Sequence, residues 1–238
     1  MKRPNGRFVS CAKTIFASKN VKVCPVGEQS VIFLKTQKGE KNMKNVVKIS
    51  GTVKEEPVFD HSVKEEKFYR LTVCSARLSG EIDEIPVYAS EKYLDFEKSY
   101  AGCRVLISGQ FRSYNLAGEV KTRLVLYVHP YSIEFVEETD DVNEIQLEGI
   151  LCKHPIYRET PKGRKISDLL IANNQSYGRS YYFPCICWGK RAIYTNTLHV
   201  GDEVKIKGRL QSRIYNKAEE EKIAYEISVS DIFEGGAK

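Results

Sequence analysis

The chain has 238 residues, room for two domains of about 100 residues each, with 42% apolar and 29% charged residues, an ordinary balance for a globular protein. No apolar run approaches the ~18 residues of a membrane-spanning helix, the longest candidate being Val31-Ile32-Phe33-Leu34. The net charge of +6 carries no message about the folded part, because residues 1–42 hold nine Lys/Arg against two Asp/Glu.

Residues 1–42 show no clear period and read as an unstructured basic leader. Three readings stand: a disordered arm that strengthens nucleic-acid binding, a targeting peptide, or untranslated sequence. A secretory signal is disfavoured because its apolar core and small-residue cleavage pattern are missing. The third reading rests on Lys38-Gly39-Glu40, which a purine-rich ribosome-binding sequence can encode, followed at a suitable distance by Met43. On that reading translation starts at Met43.

From residue 43 onward the chain repeats itself. A shift of 98 superposes Asn45 on Asn143, Gly51 on Gly149, Pro57 on Pro155, Leu71 on Leu169 and Pro86 on Pro184. The same shift sets Ser132-Ile133-Glu134-Phe135 on Ser230-Asp231-Ile232-Phe233. A shift of 99 aligns Gly102-x-x-Val105-x-Ile107-x-Gly109 with Gly201-x-x-Val204-x-Ile206-x-Gly208, so one loop has gained a residue. The domains expected are 43–138 and 143–234, divided at Glu137-Glu138-Thr139-Asp140-Asp141.

Each copy reads as short strands bounded by turn residues. In the second copy, Ile145, Leu147 and Leu151 mark one strand. The others follow at Ile166–Ala172, Tyr181–Trp188, Val204–Tyr215 and Ile223–Val229, with a helix-sized gap at 190–198. Five strands with a helix between the third and fourth is the order of an OB-fold barrel. The fold class expected is all-β with short helices, as two tandem five-stranded OB-fold barrels. Gly149 and Gly208 inside strands suggest the bends that a small closed barrel needs.

Alternation along the strands separates an inner from an outer face. On the third strand of copy two, Phe183, Cys185 and Cys187 fall inside; Tyr182, Ile186 and Trp188 fall outside. On the fourth, Val204, Ile206 and Leu210 fall inside; Lys205, Lys207, Arg209, Gln211, Arg213 and Tyr215 fall outside. Exposed aromatics stack on unpaired bases while Lys and Arg neutralise phosphates, and a duplex hides the faces such stacking needs. The competing reading is that Tyr182 and Trp188 pack against another subunit.

The seven cysteines read as reduced thiols filling apolar space rather than as metal ligands, since the four histidines are scattered without ligand spacing. No phosphate loop, His-Glu-x-x-His or Gly-x-Ser-x-Gly motif is present, and Asp168 lacks a neighbouring carboxylate or histidine. Neither catalysis nor a metal or cofactor is expected.

Four segments resemble the bacterial single-stranded DNA-binding protein family: 160–163 (Thr-Pro-Lys-Gly), 170–173 (Leu-Ile-Ala-Asn), 183–192 (Phe-Pro-Cys-Ile-Cys-Trp-Gly-Lys-Arg-Ala) and 204–215. The resemblance covers almost all of residues 143–234. It implies sequence-independent binding and protection of single-stranded DNA in replication, recombination or repair. It places base-stacking aromatics at Tyr177, Tyr182, Trp188 and Tyr215, with Arg209, Arg213, Lys190 and Arg164 as phosphate partners. The outward Lys205 and Lys207 join that set.

In copy one, Ser90 stands where copy two has Trp188, and Tyr88, Arg112 and Tyr114 are the candidate contacts. That copy either touches DNA through them or serves as a dimerisation or spacing module. The family's usual four barrels would be reached by a homodimer of this tandem chain, in the bacterial cytoplasm with the nucleoid. The sequence ends without the acidic tail through which typical members recruit replication and repair proteins. The rival function is a replication-restart or primosome adaptor acting mainly through protein partners.

Overall fold

The computed structural model describes residues 45–118, 123–175, 179–217 and 220–235. The leader 1–42, the start at Met43 and Tyr177 lie outside the described residues.

Each copy builds a barrel from one alternating pattern. In β1 (Asn45–Val53) the even-spaced Val47, Ile49 and Val53 are fully inside, while Val46 and Lys48 face outward. β1 is followed by β2 (Val58–Val63), β3 (Glu66–Ala76), β4 (Ile82–Ser90), β5 (Arg104–Leu116) and β6 (Arg123–Val136). β1 pairs with β3 at one end and β5 along its length, β3 pairs with β4, and β5 with β6. A parallel bridge between Val87 of β4 and Val128 of β6 closes the ring.

The second copy repeats the plan in β7 (Asn143–Leu151), β8 (Ile156–Glu159), β9 (Lys165–Asn174), β10 (Ser180–Trp188), α1 (Lys190–Thr195), β11 (Glu203–Lys217) and β12 (Glu220–Glu234). Its ring runs β7–β9–β10–β12–β11, closed by the parallel pair Cys185–Ile227. The chain is two tandem OB-fold barrels, with the helix between third and fourth barrel strands as expected. Each barrel carries one strand more than the five foreseen. β2 and β8 are short hairpin partners on the outer edge of the second barrel strand.

Two glycine pairs set the corners. A Cβ on Gly149 would lie 2.5 Å from the Ala172 carbonyl oxygen, and one on the equivalent Gly51 would strike the Cys74 carbonyl. Gly109 and Gly208 meet the carbonyls of His129 and Ser228 in the same way, each next to a bulge. Those bulges correct the repeat alignment. Ile107 pairs with Ile133 and Ile206 with Ile232, so the last strands superpose at a shift of 99, not 98. The matched Ser and Phe at 132–135 and 230–233 are therefore one position out of structural register.

The barrels join edge to edge around a pseudo-two-fold axis. β1 and β7 pair antiparallel with Val47 opposite Ile145, two residues that the repeat itself superposes. The joint is reciprocal: the Ser113 hydroxyl accepts from the Tyr182 amide at 2.8 Å, and the Ser212 hydroxyl accepts from the Glu84 amide at 3.0 Å. Ser113 and Ser212 are repeat equivalents, as are Glu84 and Tyr182. Phe111 of the first barrel stacks on Phe183 of the second, ring centres 5.0 Å apart. Cys74, Cys152, Cys185 and Cys187 are free thiols. No described helix is long and apolar enough to cross a membrane.

Candidate nucleic-acid interface

The outer face of β10 is made by its alternation. Phe183, Cys185 and Cys187 fill the barrel, and burial pushes the Cys187 thiol up to about 12, leaving it an inert apolar group. Packing them inside turns Tyr182 and Trp188 outward, 40% and 37% exposed. They stand six positions apart, about 20 Å along a strand, room for several stacked bases. Ile186 between them is buried, so the face offers two separated rings and not a continuous strip.

β11 supplies the cations along its outer side. β11 pairs with β12 along its whole length, which places Arg209 opposite Ser228 and Arg213 opposite Ala224 on the outer side. Ser228 in turn lies beside Ile186 of β10, so Arg209, Arg213 and Tyr215 share the sheet that carries Tyr182. Before the bulge at Lys207/Gly208, Lys205 and Lys207 face outward over β7, and Lys205 is paired with Glu148 at 3.0 Å. The basic row of the sequence thus has β7 as a second neighbour as far as Gly208 and pairs with β12 alone beyond it.

The remaining candidates differ in availability. Tyr215 is 38% exposed at the far end of β11. Arg213 is exposed and only loosely approached by Glu226, at 3.9 Å. Arg209 is half-buried against the first barrel; burial and the neighbouring Arg77 pull its guanidinium below its ordinary value, and it donates to Gln211. Arg164 and Lys190 are exposed and form no ion pair with a described residue.

Copy one presents a different surface. Tyr88 is 7% exposed, stacked on Tyr127 at 4.6 Å and hydrogen-bonded to Tyr114, so its ring face is already covered by protein. It is removed from the set of base-stacking candidates. Arg112 turns its guanidinium onto Gln110 at 3.0 Å, and Tyr114, though exposed, stands edge-on to Tyr127. Ser90 is buried and donates to Glu66, while Glu84, at the position of Tyr182, holds Lys54 at 2.7 Å. Among the described residues no group of His, Cys, Asp and Glu is arranged to hold a metal.

With this geometry in view, the second barrel can be compared with known families. Residues 142–233 match the single-strand binding protein family. The matched stretch is the second barrel. A curated relative, the single-stranded DNA-binding protein of Malacoplasma penetrans (strain HF-2), is 33% identical over 91 residues, 37% of this chain and 48% of the relative. The chain thus matches about half the length of that relative. Among solved structures, the wild-type single-stranded DNA-binding protein of Thermus aquaticus superposes with a TM-score of 0.62 at 20% identity, over 82% of this chain and 94% of the other. A deletion mutant of the same protein gives 0.64 at 19% identity, over 82% and 95%. These structural likenesses extend beyond the family barrel and concern the fold.

Proposed function

We propose that this chain binds single-stranded DNA without regard to sequence, through the outer face of its family barrel. The observation that carries the reading is the outward pair Tyr182 and Trp188 on β10, with Arg213 and Tyr215 on the adjoining sheet, inside the stretch that matches the family. Bases stack on the rings and phosphates meet the cations; neither contact reads base identity. Trp188, Tyr182 and Tyr215 are the proposed stacking residues, with Arg213, Arg164 and Lys190 as the freest phosphate partners and Arg209, Lys205 and Lys207 as secondary ones. Residues 43–138 and 143–234 are the proposed domains, and a homodimer with four barrels the proposed assembly, working with DNA in the bacterial cytoplasm.

Trp188 is the sole tryptophan, so its fluorescence reports the proposed face directly. Titration with oligo-dT is expected to quench it, with affinity falling steeply as salt rises and no displacement by duplex. Trp188→Ala, followed by a labelled strand, is expected to lose roughly 1–3 kcal/mol of binding. An unmoved Trp188 signal with no measurable affinity overturns the reading. Light scattering tests the assembly: the mass of one chain would sink the four-barrel proposal.

A further inference from the structure

The two barrels leave a cleft of about 440 Å3 between them, over the outer face of copy one. Its floor is Arg70 and Thr72 of β3 with Glu84 and Pro86 of β4; one wall is Arg123 to Leu126 of β6. The opposite wall comes from copy two: Tyr215 of β11 with Ile223, Ala224 and Tyr225 of β12. These belong to the β11–β12 hairpin, which reaches past its own barrel and is pinned on β4 by the Ser212 contacts.

The repeat shows what copy one has lost. Trp188 is replaced by the buried Ser90, Tyr182 by Glu84 neutralised on Lys54, and Tyr215 by Leu116. The same face has gained an exposed arginine, since Arg70 is the equivalent of Asp168, which in copy two is paired with Arg158. Neither Arg70 nor Arg123 forms an ion pair with a described residue. Arg70, Arg123 and Lys54 line the same cleft as Tyr225, together with Glu55 and Glu84, the latter paired with Lys54. A strand of unpaired bases needs cations for its backbone and an aromatic for its bases; the cleft holds both, from different barrels.

We propose that copy one binds a second stretch of single-stranded DNA in this cleft, with Arg70 and Arg123 on phosphates and the copy-two hairpin supplying Tyr215 and Tyr225 as the aromatic platform. The proposal rests on the reading above, in which the strand engages Tyr182 and Trp188. Tyr215, on the rim of the cleft and in line with Arg213, joins the two stretches. Copy one is then not a spacer but half of a composite site that neither barrel makes alone.

The test uses the full chain with dT oligomers of about 15 and about 30 nucleotides, one and two barrels' worth. In Arg70→Ala/Arg123→Ala the short oligomer is expected to quench Trp188 as before. The advantage of the long oligomer is expected to fall about ten-fold at moderate salt, and the salt slope to lessen by roughly 1.4 for two lost contacts. Arg70→Lys/Arg123→Lys is expected to restore most of both. A strand bearing iodouracil is expected to cross-link to Tyr225, which the reading of β10 by itself does not place on DNA. Unchanged long-oligomer affinity and slope, or cross-links confined to Tyr182, Trp188 and Tyr215, overturn the proposal and leave the reading of β10 standing. No quenching of the unsubstituted chain by either oligomer removes both.

Discussion

Asn143 shows how a single side chain stands in for a strand. It opens β7, and its amide nitrogen donates to the Leu210 carbonyl at 2.7 Å while its oxygen accepts from the Leu210 amide at 2.8 Å. Asn45 makes the same two bonds to Phe111, at 2.7 and 3.1 Å. Each asparagine thus continues the ladder where the backbone of β1 or β7 leaves off, and leaves no donor or acceptor orphaned. Asn143→Ala is expected to cost about 2–4 kcal/mol, because two backbone groups lose their partner at once; urea denaturation measures it, and an unchanged midpoint would show that water replaces the amide. Asn143→Asp retains the acceptor but not the donor and is expected to fall between the two.

His129 makes a second prediction at this scale. Burial, then Arg112 and Lys92, lower it to about 4, against the partial opposition of Glu66. The unfolded chain binds this proton near pH 6.5, whereas the folded chain resists it until about pH 4. Stability from this group is therefore complete above pH 6.5 and declines as pH falls to about 4, by at most ~3 kcal/mol. His129→Gln is expected to flatten that part of the stability profile. A slope identical to the parent's between those pH values would assign the acid sensitivity elsewhere.

Among the described elements, the β2–β3 hairpin holds backbone strain at its turn. Its two turn residues, Lys64 and Glu65, have φ of +47° and +69°, a left-handed pair that Asn-Gly adopts far more easily. All six residues of β2 are exposed, so the barrel adds little burial to offset it. Lys64→Asn with Glu65→Gly is expected to stabilise the chain by about 1 kcal/mol, read as a higher thermal midpoint. The barrel corners work in the opposite sense. Gly149→Ala places a methyl against the Ala172 carbonyl and the Ile171 side chain, and is expected to destabilise by more than 2 kcal/mol. If Gly149→Ala is tolerated, β7 and β9 separate more readily than their close approach implies.

For the whole molecule, the seam between barrels decides whether they unfold together. It contains the β1–β7 ladder, the reciprocal serines and the buried Asp83, which accepts from Arg77 at 2.6 Å and from the Ser212 amide at 2.8 Å. Asp83 has no counterpart across the pseudo-two-fold, where Tyr181 stands. The latch is one-sided. Asp83→Ala leaves Arg77 without its main partner and the hairpin of copy two unpinned, and is expected to cost about 3–5 kcal/mol. Trp188 fluorescence reports copy two and far-ultraviolet dichroism both copies; in the parent the two transitions are expected to coincide. Separate transitions in the parent would show barrels that fold independently and a seam that contributes little.

The sequence alone determined the duplication, the strand order and the inside–outside assignment of β10, because these depend on period-two alternation and on residues close in the chain. Val204, Ile206 and Leu210 are buried and Tyr182, Trp188 and Tyr215 are exposed, as the alternation requires. Where sequence reasoning went astray, a contact from far away intervened. Tyr88 has the outward phase of its strand, yet Tyr127 and Tyr114, distant in sequence, cover it. The row from Lys205 to Tyr215 is continuous along β12, but its first part, up to Gly208, also has β7 beside it, which the sequence does not show. Only the tertiary structure could place Arg70 and Arg123 opposite Tyr225, since those residues meet only after two closed barrels dock about a two-fold axis. Periodicity specifies which way a side chain leaves its own strand. What it then faces is set by the packing of barrel on barrel.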